Sequence, residues 1–144
     1  MYGRSALTWT LMIPAAIANG VIREVVVRPI TGELAAHQIS AVTGSLAFLG
    51  VTWLAFRNEA VDQSDRTLLK VGLAWLAGTI AFEFGFGHFL DGKSWSALFH
   101  DYNLLQGRVW TLVLVVILLA PLAIKHLAIW SASIRHPHDT QPVT

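Results

Sequence analysis

Residues 104–124 read LLQGRVWTLVLVVILLAPLAI, and from Val109 to the last residue of that stretch no charged side chain occurs. At about 1.5 Å rise per residue, a segment of about 20 such residues crosses a hydrocarbon core about 30 Å thick. Working outward from it, three more segments meet the same test, at approximately 6–27, 34–56 and 67–87. The expected fold class is therefore all-α: an integral membrane four-helix bundle that occupies residues 1–133, followed by a flexible cytoplasmic tail at 134–144.

The composition of the 144 residues agrees with that reading. Hydrophobic residues make up 54% and charged residues 13%, and the mean hydropathy is +0.55. A water-soluble domain of this size cannot hide so much apolar surface, so lipid is the expected solvent. Cysteine is absent, which removes thiol catalysis, disulfides, thiolate metal sites and iron–sulfur clusters together. The formal net charge is +1 with no basic face, so nucleic acid is not an expected partner.

Arg4 followed by an apolar run and Ala16-Ile17-Ala18 gives the first segment some likeness to a secretory leader. The apolar stretch continues through Val21, Ile22 and Val25 to Val27, so it is read as a retained helix. Lys and Arg set the orientation. With the N-terminus inside, Arg4, Arg57, Arg66, Lys70, Lys125 and Arg135 are cytoplasmic, against Arg23, Arg28, Lys93 and Arg108 on the far side. The expected location is a bacterial inner membrane, multi-pass, with both termini cytoplasmic. Trp9, Trp53 and Trp130 then fall near the inner interface and Trp95 near the outer one.

Pro29, Thr31 and Gly32 are expected to turn the chain between the first two helices, and Ser64 or Asp65 to cap the third. After an Asp91-Gly92 turn, Ser94 can cap a short helix with Trp95, Leu98, Phe99 and Tyr102 on one face. It is read as an amphipathic interfacial helix over the bundle mouth, between helices three and four. Asn103 and Gln106 form a capping-box pattern for helix four. Pro14 and Pro121 lie inside helices, where each removes a backbone donor. His136 and His138 in the tail are weak metal candidates.

The polar residues of the apolar segments concentrate towards one leaflet. Helix one brings Asn19, Arg23 and Glu24, helix two His37 and Gln38, helix three Thr79 and Glu83, and helix four Gln106, Arg108 and Thr111. Asn19 with Arg23 and Thr79 with Glu83 are each i, i+4, so each pair shares a helix face. A charge facing lipid at depth costs about 2.5–3.5 kcal/mol on insertion scales, so pairing is expected. Arg23 or Arg108 should meet Glu83, with Glu24 taking the other partner. Gly85 and Gly87 should loosen helix three beside it.

The ligand- or proton-binding candidates are thus Glu83, Arg23, Glu24, Arg108, Asn19, Gln38 and His37. Glu83, between Phe82 and Phe84, is foremost among them because its flanks are desolvated. A polar or anionic small molecule, bound or transported from the periplasmic side, is the expected ligand. One alternative is an accessory or assembly subunit whose ion pairs only hold the bundle together. A second is a haem- or metal-binding redox protein, for which His37 and His88 on separate helices are weak ligands. No Glu-x-x-His pair or haem-attachment motif supports it, so no cofactor and no catalytic residue is expected.

The segments Asn19-Gly20-Val21-Ile22-Arg23-Glu24, His37-Gln38-Ile39-Ser40, Glu83-Phe84, Asp101-Tyr102-Asn103 and Gly107-Arg108-Val109-Trp110 together touch all four helices. In these motifs the chain resembles bacterial four-helix inner-membrane proteins without an established activity. The resemblance implies a fold and a location and no mechanism. Four helices enclose little space, so pairing as a homodimer or within a larger membrane complex is also expected.

Overall fold

The computed structural model of the chain describes residues 1–135 apart from Asp91, Asp101, Tyr102, Leu104 and residues 106–108, with Arg135 described by its backbone only. The described residues form helices and no strand: α1 (Tyr2–Thr31), α2 (Glu33–Val61), α3 (Asp65–Phe89), the short α4 (Trp95–His100) and α5 (Trp110–Arg135). The four long helices are apolar and long enough to cross a membrane. Arg108, Gln106, Tyr102, Asp101, the first residue of the Asp91-Gly92 turn and the tail histidines lie outside the described residues.

Every long helix extends beyond the bounds drawn from hydropathy, for reasons that differ. α1 does not stop at Val27 but passes through Pro29, by way of a π-helical turn at Arg23–Val27 in which Arg28 N–H donates to Arg23 O. Proline has no N–H, and in a regular helix its ring crowds the carbonyl four residues back, here that of Val25. A widened turn ahead of Pro29 relieves that conflict and keeps the helix going. It ends at Gly32, whose φ of 82° favours glycine. That single residue joins α1 to α2, and Ala36 N–H already bonds its carbonyl at 3.0 Å.

α2 runs past Phe56 to Val61 because its last turns carry charges that find partners. Glu59 lies 3.2 Å from Arg4 Nη1 and 3.5 Å from the N-terminal amine. α3 begins at a Ser64 cap whose hydroxyl accepts from Thr67 N–H at 3.2 Å. The Gly85 and Gly87 positions do not loosen α3, which stays helical to Phe89. α5 starts at Trp110 rather than near residue 104, since Asn103 is not helical. It then continues unbroken past Pro121.

α5 packs along both α2 and α3, and α1 lies along α2. Val113, Ile117, Ala120 and Ile124 form one stripe of α5 and are buried against Phe48, Phe56, Leu68, Val71 and Trp75. α3 and α5 meet at backbone distance: a Cβ on Gly72 would stand 1.9 Å from Leu118 O. α1 is the least buried of the four. It is tied to α3 by two indoles, Trp75 Nε1 donating to Ser5 O and Oγ at 3.1 Å and Trp9 Nε1 donating to Thr79 Oγ1 at 3.1 Å. Trp9 is thus half-buried in the α1–α3 seam.

Trp75→Phe keeps the ring contact with Phe56, 5.6 Å between centroids, and deletes the bonds to Ser5. A net hydrogen bond is worth about 0.5–1.5 kcal/mol, so the expected loss is about 1–2 kcal/mol. A denaturant titration in detergent micelles reads it, and an unchanged midpoint would show that the indole is not what holds α1 to α3.

Candidate functional site

On the Glu33 side of the two indole contacts, a cavity of about 1020 Å³ is lined by residues of both α1 and α3. Its walls come from α1 between Ala16 and Arg28, the start of α2, the last turns of α3, Trp110 at the start of α5, and α4. Of the seven residues singled out from the sequence, Asn19, Arg23, Glu24, His37 and Glu83 line this one space. Gln38 is exposed and outside the lining. Arg108 lies outside the described residues.

Asn19 faces α2 with its whole amide. Its Nδ2 donates to Ser40 O and Ser40 Oγ, both at 2.9 Å, and its Oδ1 accepts from Thr43 Oγ1 at 2.7 Å. Gly44 leaves room for it, since a Cβ there would come to 3.0 Å from Asn19 Nδ2. The i, i+4 relation to Arg23 is real, yet Asn19 acts as a clamp between α1 and α2. Polar contacts between membrane helices average about 0.6 kcal/mol and reach about 1.7. Because three bonds converge, Asn19→Leu is expected to cost about 1–2 kcal/mol. A double-mutant cycle with Ser40→Ala measures the coupling, and additive effects would contradict the clamp.

Of the two pairings expected, Arg23 with Glu24 is observed, while Arg108 lies outside the described residues. Arg23 turns to its neighbour Glu24, with Nε and Nη2 each 3.1 Å from Oε1. Glu24 is also held by Arg28, Nη1 to Oε2 at 2.7 Å, and Arg28 reaches Glu33 at 3.7 Å. These four residues form one alternating chain at the mouth of the cavity. Arg28 belongs to it because the helix continues through Pro29, which places Arg28 four residues after Glu24 on a common face. With α1 ended at Val27, that pair could not be foreseen.

Glu83 accepts from Trp110 Nε1 at 2.8 Å, a bond that ties α3 to the start of α5. The indole went unnoticed in the sequence, although a Trp N–H withdrawn from water calls for an acceptor. Lys93 and His100 were also missed, because both sit in the connection between α3 and α5. His37 is buried at 6% exposure.

α4 forms one wall of the cavity. Ser94 Oγ accepts from Ala97 N–H at 3.2 Å, the cap expected for it. Leu98 is buried against Gly87, where a Cβ would stand 2.6 Å from its Cδ2. Trp95 stacks on His88 at 4.0 Å and on Phe84 at 6.2 Å, and Phe99 meets Phe84 edge-on at 5.2 Å. His88 Nδ1 donates to Lys93 O at 3.0 Å. It therefore belongs to the latch of α4 and not to the cavity lining that holds His37. Among the described residues no group of three His, Asp or Glu side chains is arranged to hold a metal ion.

No protein-family model, curated protein or solved structure matches the chain.

Proposed function

We propose that this chain is a multi-pass protein of a bacterial inner membrane, with both termini cytoplasmic, that binds a small polar or anionic molecule in a periplasm-facing cavity around Glu83. The observation that carries this reading is the cavity itself, about 1020 Å³ and lined by Arg23, Arg28, Lys93, Glu24, Glu33 and Glu83. Six acidic and basic side chains, with His37 and His100 beside them, around one space at one end of four long apolar helices are a costly arrangement unless water or a ligand reaches them. α4 would then lie in the outer interface, roofing the site with Leu98 and leaving Trp95 and Phe99 partly exposed.

The opposite half of the bundle is filled by Phe56, Leu68, Thr52 and Ile117, all fully buried. That packing favours binding over passage. The orientation is supported by the Met1 end, where Arg4 and Lys125 are held by Glu59 and Asp65 on the side that positive charge marks as cytoplasmic.

An accessory subunit with purely structural charges is the second reading. It is favoured by the mutual pairing of Arg23, Glu24, Arg28 and Glu33. Native mass spectrometry of the wild type and Glu83→Gln, both purified in mild detergent, separates the two and also reads the oligomeric state. A bound species present in the wild type whose occupancy changes in the variant supports the binding site. A wild type with no bound species, alongside a variant that is merely less stable, replaces it with the structural reading.

A further inference from the structure

The cavity is longer than a small polar solute requires. Ala16 and Arg28 both line it, and at 1.5 Å per residue they stand about 18 Å apart along α1. Its volume of about 1020 Å³ lies at the top of the range for small-molecule sites, roughly 300–1,000 Å³. The lining also changes character along that length. Arg23, Glu24 and Arg28 crowd the Glu33 end, whereas deeper in Ala16, Ile17, Val21 and Phe82 add an apolar surface beside the polar Asn19, Ser40 and Glu83.

The apolar part is not closed off from the side. Ile17, Val21 and Val25 recur at i, i+4 and i+8 and line the cavity, yet they are 44%, 56% and 70% exposed. The contacts Trp75–Ser5 and Trp9–Thr79 seal the seam between α1 and α3 only on the Met1 side of these residues. In a bilayer, a seam that opens sideways along an apolar face admits hydrocarbon and not water.

We infer that the occupant is an amphipathic molecule with a phosphate or carboxylate head and a hydrocarbon chain, entering sideways from the bilayer between α1 and α3. This rests on the membrane-embedded binding site proposed above and names its ligand class. The head meets Arg23, which spends Nε and Nη2 on Glu24 and leaves Nη1 outside both contacts. A guanidinium carries five N–H donors in a planar fork suited to phosphate and carboxylate oxygens. The chain lies along Ile17 and Val21, where removing hydrocarbon from water or detergent is favourable and a bare anion gains nothing. A free phosphate ester offers the same head, so head and chain have to be tested apart.

Gly20 supplies the means, since it lines the cavity and a Cβ there meets nothing within 4 Å. Gly20→Leu therefore fills the space without a clash, and Val21→Trp is a second filler. Gly50, equally open but away from the cavity, provides Gly50→Leu as the matched control. The full chain, stripped of lipid in detergent, is titrated with dioleoyl phosphatidylglycerol and separately with glycerol phosphate, with bound species counted by native mass spectrometry.

The expected result is one tightly held lipid on the wild type and on Gly50→Leu. Retention should be at least roughly tenfold weaker in both filled variants, and glycerol phosphate should not bind. If glycerol phosphate binds as well as the lipid and is lost in the filled variants, the ligand is a free polar solute. The amphipathic assignment then falls while the binding site stands. If lipid is retained equally by all four proteins, it coats the outside of the bundle and the inference is overturned. If neither probe binds, the inference falls, and the co-purification comparison with Glu83→Gln decides the broader reading by itself.

Discussion

Gly72→Ala is expected to lower the stability of the bundle by about 3–5 kcal/mol, a size reached only by a few identifiable mechanisms. The added Cβ would stand 1.9 Å from the carbonyl oxygen of Leu118 and 2.9 Å from its carbon. Those are backbone atoms of a neighbouring helix, so no side-chain rotation relieves the overlap and α3 must move away from α5. The displaced surfaces include Leu68, Val71 and Ile117, which belong to one buried cluster. Replacing glycine in a helix otherwise gains about 1 kcal/mol, so the sign depends on the clash being larger. Gly50→Ala, with open space around it, should show the gain alone. Thermal melting of both variants in detergent checks the pair, and equal shifts would mean that α3 and α5 are not in backbone contact.

Substitution of Glu83 should separate charge from hydrogen bonding. Glu83→Leu leaves the Trp110 indole without its 2.8 Å acceptor, and an unsatisfied buried donor costs about 1–3 kcal/mol. Glu83→Gln keeps an amide oxygen that can accept the same proton, so it should retain most of the stability. Both variants remove the negative charge from the cavity wall, so an anionic ligand that senses that charge should bind both more tightly. Glu83→Gln melting as low as Glu83→Leu would show that the carboxylate charge, and not the Trp110 bond, holds α3 to α5.

The existence of four helices was legible because long apolar runs without charge have few other structural outcomes. Their ends were not, since each is set by something local. Pro29 looks like a terminator, yet the π turn at Arg23–Val27 lets the helix absorb it, and Arg28 thereby joins Glu24. Helix four was started too early because Asn103 and Gln106 resemble a capping box, while the helix begins at Trp110. Face sharing correctly grouped Asn19 with Arg23, but a helix face does not reveal which neighbour each side chain chooses. Asn19 chose the α2 backbone, and Thr79 chose Trp9. Gly87 was read as a weak point of helix three. The need for it came from Leu98 in another element, which periodicity within one helix cannot register.

The chain contains no cysteine, so single introduced cysteines report access without background. The decisive measurement is labelling of Ser96→Cys, Ala97→Cys, Asp62→Cys and Ala120→Cys with a membrane-impermeant maleimide on intact cells and after permeabilisation. Ser96 and Ala97 are exposed and line the cavity, Asp62 is exposed at the opposite end, and Ala120 is buried at 1% exposure in the core. A membrane-spanning bundle with an outward-facing cavity requires the first two to label on intact cells, Asp62→Cys only after permeabilisation, and Ala120→Cys in neither state. Labelling of Asp62→Cys on intact cells, or a Ser96→Cys that stays unreactive throughout, would contradict it.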